Sequence, residues 1–412
     1  MKKCIFLAAM MTCFGVSAGN ISGPIGLPGA KTLPKGVRNL SIKGVFAQGL
    51  EKYDGNGNSV SLADPFFQNL SFGNILSGTE DPKKQGEILA AMNKVGANES
   101  DSFGSATGQV NLDATVTVPV FAWGLTSKLT AAIAVPIIKT SLNVDTGVIH
   151  NNSSLYNQVV NELGYAPEKQ EEFQDKMNSP VSEKLKEYGY KALRNEDETK
   201  LGDIKLVTKY KTFENKLNSV VVTGELTLPT GREEDLNKIV DLPGGDGQTD
   251  FGLSVNYDYY PMNWLTLSSQ VSHTVQFADK QAKRVPFWRG SKLTPYIDEN
   301  VDRDLGDLSS VQLAAQAKYL GFGFGTNYAL QYKGGDKYTG TKFEKSWYDN
   351  IGKDTIQRMG SFTFSASYDT ISLFRQKKFP VPLSLSVSHS VISSGKNVVK
   401  DPITALDFTM FF

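Results

Sequence analysis

A period of two runs through this chain almost from end to end, and it limits the possible folds more than any other feature. In 251–259 the odd positions Phe251, Leu253, Val255, Tyr257 and Tyr259 are apolar or aromatic, and Gly252, Ser254, Asn256 and Asp258 between them are polar or glycine. Val110, Leu112, Ala114, Val116, Val118 and Val120 alternate with Asn111, Asp113, Thr115 and Thr117. Phe322, Phe324, Tyr328, Leu330 and Tyr332 alternate with Gly321, Gly323, Gly325, Asn327 and Gln331. Successive side chains of a strand point to opposite faces, so each stretch specifies a strand with one apolar and one polar side. About twelve such segments recur: 38–49, 107–121, 124–141, 201–213, 217–230, 248–260, 263–277, 308–320, 321–333, 355–370, 379–393 and 402–412. Beyond the N-terminus no run of eighteen apolar residues exists that could span a bilayer as a helix.

Alternation alone also fits a soluble β-sandwich. The two ends of the chain favour a barrel in lipid. Counting back in twos from Phe412 gives Met410, Phe408 and Leu406, with Asp407 and Thr409 in the other phase. An aromatic C-terminus on such a strand resembles the closing strand of bacterial outer-membrane barrels. There Phe408, Met410 and Phe412 would form the insertion signal read by the barrel-assembly machinery. At the other end Met1-Lys2-Lys3 is basic, Cys4 to Val16 is mostly apolar, and Val16-Ser17-Ala18 offers small residues for cleavage. Residues 1–18 therefore read as a secretory signal peptide. Both cysteines, Cys4 and Cys13, lie inside it, so the mature chain is expected to have neither disulfides nor thiolate metal sites. The 43 basic and 43 acidic residues balance, which gives no reason to expect nucleic acid as a partner. Three histidines leave little room for histidine catalysis or metal binding, and no cofactor or enzymatic activity is expected.

The connections between segments alternate short and long. Short ones fall near 121–124, 213–217, 260–263 and 319–321, with a somewhat longer one near 371–379; long ones cover roughly 50–106, 142–200, 231–247, 278–307, 334–354 and 394–401. Outer-membrane barrels have short periplasmic turns and long extracellular loops, so an even strand count predicts both termini in the periplasm. Leu155, Val159 and Leu163, and then Val181, Leu185 and Tyr188, recur at helical spacing within the second long loop. A short helix is also expected around Ile88, Leu89 and Met92. The Gly/Pro-rich stretch 19–37 is either a periplasmic lead or a plug folded into the barrel.

Four short motifs occur in order: Trp123-Gly124-Leu125-Thr126-Ser127-Lys128-Leu129-Thr130 followed by Val135-Pro136; Gly202-Asp203-Ile204-Lys205; Leu228-Pro229-Thr230-Gly231; and Gly245-Asp246-Gly247-Gln248-Thr249-Asp250-Phe251-Gly252-Leu253. Together they resemble the "MetA-pathway of phenol degradation" family of outer-membrane barrels. The resemblance implies a relation to fatty-acid and aromatic-hydrocarbon channels, and a hydrophobic or aromatic solute. The motifs mark turns and strand ends rather than catalytic groups. The long 142–200 loop and the long first loop depart from the family pattern.

The polar phase assigns an inner face, since charges face hydrocarbon only at high cost. It places Lys43, Asp113, Lys128, Lys205, Lys209, Lys211, Glu225, Asp258, Lys318, Asp369 and Asp407 as pore-lining residues, with Gln270 and Gln331 beside them. Lys205, Lys209 and Lys211 form a basic ladder that would attract carboxylates, unless Glu225, Asp258 or Asp369 neutralise it. His273 and His389 fall in the apolar phase, and His389-Ser390 puts neighbours on opposite faces, so that pair cannot act as a dyad. Asp298, Glu299, Asp302, Asp304 and Asp307 form an acidic loop cluster that is either solvated or a divalent-ion site. The sequence thus specifies an all-β fold. It is a transmembrane antiparallel β-barrel of about 12 strands over 38–412, with long, partly helical extracellular loops, in the Gram-negative outer membrane. Its expected surroundings are outer-membrane lipid and lipopolysaccharide. The expected function is passive passage of a small solute; the alternative is a non-transporting barrel whose loops act as adhesin or receptor.

Overall fold

The computed structural model of the chain describes residues 26–61, 68–73, 76, 82–149, 153–164, 186–191, 194–238, 241–287 and 294–412. Twelve strands close on themselves: β1 (Arg38–Gly49), β2 (Ser102–Gly124), β3 (Leu129–Ala134), β4 (Ile204–Glu214), β5 (Asn218–Leu228), β6 (Asp250–Met262), β7 (Leu265–Gln276), β8 (Leu308–Tyr319), β9 (Phe322–Lys333), β10 (Gln357–Asp369), β11 (Leu383–Lys396) and β12 (Ile403–Phe411). Each pairs antiparallel with its chain neighbours, and β1 closes the ring by pairing with both β12 and β2. Closure leaves the ring itself without a free edge. Arg38 and Phe412 exchange backbone hydrogen bonds of 2.8 and 2.9 Å, so both barrel ends of the chain meet at the rim that carries the short turns.

The distribution of side chains is inverted relative to a soluble protein. Leu253, Val271, Leu313 and Phe324 point outward and are 49, 58, 59 and 63% exposed. Asn256, Asp258 and Asn327 point inward and are 3, 1 and 1% exposed. A continuous apolar band of this kind needs an apolar solvent. Exposed aromatic residues gather at the short-turn rim, among them Trp123, Phe213, Tyr259, Trp264, Tyr319, Phe322 and Phe412. Arg38 sits 5.2 Å from the Trp123 ring centroid, a pairing suited to a headgroup interface. The inner wall satisfies its polar groups laterally: Asn327 donates to Gln312 (3.0 Å), Gln312 to Gln270 (2.8 Å) and Gln270 to Asn256 (2.8 Å), an amide chain across β9, β8, β7 and β6.

One expected strand divides. The segment 124–141 is β3 up to Ala134, then a separate strand Ile137–Ile149 that pairs with Glu196–Leu201 outside the ring. Pro136 has no N–H for the ladder, and the pairing partner breaks at the same level, where Gly202 N–H donates to the Pro136 carbonyl at 2.8 Å. Near the long-loop rim, strands Asp279–Arg284, Ile297–Asp304 and Lys337–Thr339 form a small sheet. With helix α3 (Lys345–Gly352) it encloses Val285, Val301, Leu305, Tyr338, Tyr348 and Ile351. A second compact unit, 61–111 and 143–195, contains helices α1 (Pro82–Val95) and α2 (Ser153–Glu162). Its own apolar cluster includes Phe72, Met92, Tyr156 and Val159. The expected helices at Ile88 to Met92 and Leu155 to Leu163 correspond to these two. Val181, Leu185, the signal peptide 1–18 and residues 19–25 lie outside the described residues.

Candidate functional site: the barrel interior

The interior holds a cavity of about 1140 Å³. Its wall is chemically two-sided. Val118, Val120 and Ala122 of β2, Ala132 and Ala134 of β3, and Val207 of β4 make an apolar side. Ser254, Gln270, Ser272, Ser310, Gln312 and Gln331 make a hydroxyl and amide side. Glycine at 252 on β6 and at 323 and 325 on β9 keeps the polar side low; a Cβ at Gly323 would lie 2.5 Å from Ser367 Oγ.

Of the sequence-expected lining residues, Lys43, Lys205, Lys209, Glu225 and Asp407 border this cavity. Lys43 pairs with Asp407 at 3.3 Å across the β1–β12 seam, and Lys205 makes a short bond to Glu225 across β4–β5. Lys318 and Asp369 lie 3.8 Å apart on the inner faces of β8 and β10. Lys211 is in the inward phase of β4 but pairs with Glu214 at 2.7 Å towards the short-turn rim, away from the cavity.

Two assignments are corrected. Asp113 shares its phase with the outward Phe121 and Trp123, because the strand period is two, and it is exposed opposite Gln48. In β2 it is the apolar phase, Leu112 to Val118, that faces inward and is buried. Lys128 is not on a strand. It closes the β2–β3 turn, where Thr126 Oγ1 accepts from the N–H groups of Lys128 and Leu129 at 3.1 and 2.9 Å, and it is exposed there.

Asp258 is inward and buried, yet it does not present a free carboxylate. It accepts from Ala30 N–H (3.0 Å), Tyr260 Oη (3.1 Å) and Ser268 Oγ (2.7 Å). Ser219 Oγ donates to the Ala30 carbonyl at 2.8 Å and Leu33 N–H to Thr130 Oγ1 at 2.8 Å. The Gly/Pro-rich segment from Gly26 to Val37 is therefore fixed to the inner faces of β3, β5 and β6, and Lys31, Leu33 and Pro34 border the cavity. Two glycines make room for it. A Cβ at Gly124 would fall 2.0 Å from the Pro34 carbonyl oxygen, and one at Gly325 would fall 2.3 Å from Leu27. Nothing in the periodicity of this segment signalled those contacts; its prolines and glycines specify only an irregular path.

At the long-loop rim three of the motifs converge. Asp203 Oδ1 accepts from Thr230 and Gly231 N–H at 3.0 and 2.8 Å, and Gly245 packs so closely that a Cβ there would lie 2.2 Å from the same carboxylate. Burial pushes the Asp203 carboxyl up to about 6 despite these hydrogen bonds. Beside it, burial also opposes ionisation of Glu198. Hydrogen bonds from Lys200 and Lys238 and the charge of Arg232 outweigh that cost and hold it down to about 2. The acidic loop residues separate into individual partnerships: Asp298 with Tyr348, Asp302 with Lys280 and Asp304 with Lys337. His273 and His389 point outward on different strands and bond Ser309 and Thr404 at 2.9 and 3.0 Å. Among the described residues no group of three or more His, Cys, Asp or Glu side chains is arranged to hold a metal.

No family model matches the chain, and no curated protein matches it in sequence. Among solved structures, an outer-membrane channel from Pseudomonas putida F1 superposes with a TM-score of 0.54 at 11% identity, over 94% of this chain and 100% of that one. The Ralstonia pickettii toluene transporter TbuX gives a TM-score of 0.34 at 13% identity, over 92% of this chain and 90% of that one, which is too low to carry an argument. The likeness to the Pseudomonas putida channel shows the fold: a closed antiparallel barrel.

Proposed function

We propose that this chain is an outer-membrane channel for passive passage of a small solute, with residues 26–37 as an internal constriction. The observation that carries the reading is the cavity of about 1140 Å³ inside a barrel that is apolar outside, crossed by a segment fastened through Ala30 and Leu33. Lys43, Lys205, Lys209, Glu225 and Asp407 line the path, and Asp258 anchors the constriction. No energy source is involved; selectivity comes from the width left by the segment and from the lining charge. Both termini are periplasmic, and Phe408, Met410 and Phe412 serve as the insertion signal for the assembly machinery. The motif resemblance supports a relation to the MetA-pathway family of outer-membrane barrels and a hydrophobic or aromatic solute. Single-channel conductance in planar bilayers tests the reading. Small or rare steps for the full chain and larger, steady steps after deletion of residues 19–37 are expected. Silence from both proteins, each folded, would overturn it.

A further inference from the structure

The lining of the cavity carries an uneven charge. Lys31, Lys43, Lys205, Lys209 and Arg375 border it, against only Glu225 and Asp407. Those two carboxylates are taken by Lys205 and Lys43. Among the described residues no carboxylate lies within ion-pairing distance of Lys209; its charged neighbours are Lys43, which is itself paired, and Asp258, whose oxygens are turned to Ala30, Tyr260 and Ser268. Lys209 is thus an unspent cation in the wall.

Its surroundings are suited to one chemistry. The β-sheet register sets Thr130 of β3 and Thr223 of β5 directly on either side of Lys209, and both line the cavity. Each hydroxyl oxygen already accepts a bond, from Leu33 N–H and from Asn256 Nδ2, so each hydroxyl hydrogen is left to be donated. One ammonium between two hydroxyl donors is a receptor for an oxyanion. From Lys209 the wall runs through Val207 and Ala132 to Ala134, next to Lys205, without another charge; four residues of strand span about 13 Å. That apolar strip has room for a body of one or two rings, or a short alkyl chain.

Resting on the channel reading, we infer that the cavity binds a small amphipathic carboxylate. Its carboxylate sits on Lys209, Thr130 and Thr223, and its apolar body on the Ala122, Ala132 and Val207 strip. A neutral hydrocarbon would use the strip and leave Lys209 desolvated and unpaired, so the site discriminates by charge.

The test is equilibrium dialysis of sodium benzoate against the purified, folded full chain in detergent, with benzamide as the neutral match. Saturable benzoate binding is expected, with benzamide weaker by about tenfold or more. Lys209→Gln should lose the preference, Lys209→Arg should restore most of it, and Lys211→Gln should leave it intact. Heat-modifiable gel mobility establishes that each variant is folded. Equal binding of the two probes, or a preference that survives Lys209→Gln, overturns the inference. Conductance separates it from the channel reading. Benzoate binding by a silent barrel would sink passage and keep the site. Conductance without benzoate binding would sink the site and keep passage.

Discussion

Asp203 shows how much one buried side chain organises at the long-loop rim. Its carboxyl is held up near 6, above the usual carboxylate range, because burial outweighs its backbone donors. A raised acid contributes stability that is fully present below its unfolded value near 4 and is lost as pH rises through about 6. The rim is therefore expected to loosen as the pH rises from about 4 to about 6, read as faster hydrogen exchange at Thr230 and Gly231. Asp203→Asn keeps a neutral group and should flatten that dependence; an unchanged slope would contradict the assignment. Glu198, held near 2, acts with the opposite sign: its contribution is present above about 4.5 and fades only as the pH falls towards 2. At Gly124 the chemistry is steric. Gly124→Ala drives a methyl into the Pro34 carbonyl, a strain of about 1–3 kcal/mol that displacing the segment would relieve. Protease cleavage within 26–37 should rise while the barrel itself stays intact.

At the scale of elements, the strands and the N-terminal segment obey different rules. A strand carries its orientation in its own alternation, so β6, β9 and β12 could be oriented from sequence residue by residue. β2 could not, because its inward phase is the more apolar one: Leu112, Ala114, Val116 and Val118 face the lumen while Asp113, Thr115 and Thr117 face out. Only the bulky Phe121 and Trp123 reveal the true phase. The 26–37 segment has no periodicity, and its position depends on partners almost two hundred residues away or more, Ser219 and Asp258. Asp258→Ala removes the acceptor for Ala30, Tyr260 and Ser268, where bonds to a charged group contribute about 1.5–3 kcal/mol each. Exchange at the Ala30 amide should accelerate by orders of magnitude, with β6–β7 pairing preserved. Equal loss of protection in both would mean that Asp258 supports the wall rather than the segment.

For the whole molecule the decisive property is its inside-out distribution of polarity. If the outer band meets hydrocarbon, Val271→Arg should cost about 2–4 kcal/mol of folding free energy in lipid vesicles, whereas Gln270→Arg one residue earlier should cost far less. Comparable penalties at both positions would argue against a lipid-facing band. Closure also explains why 11% identity suffices to keep the fold recognisable. Twelve strands need only the right phase and turn lengths, and many sequences meet that requirement.

The chain by itself determined the strand count, the closing strand, the alternation of short and long connections, and the inward phase of Lys43, Lys205, Lys209, Glu225 and Asp407. These follow from local periodicity, which each segment carries without reference to the others. Which lysines are neutralised, and that Lys209 has no ion-pair partner among the described residues, was decided only by the tertiary structure. Register brings Glu225 to Lys205 and Asp407 to Lys43, and gives Lys209 only threonines as cross-strand neighbours. The path of residues 26–37 was likewise settled in three dimensions, because an irregular segment takes its shape from the donors and acceptors that the closed wall presents to it.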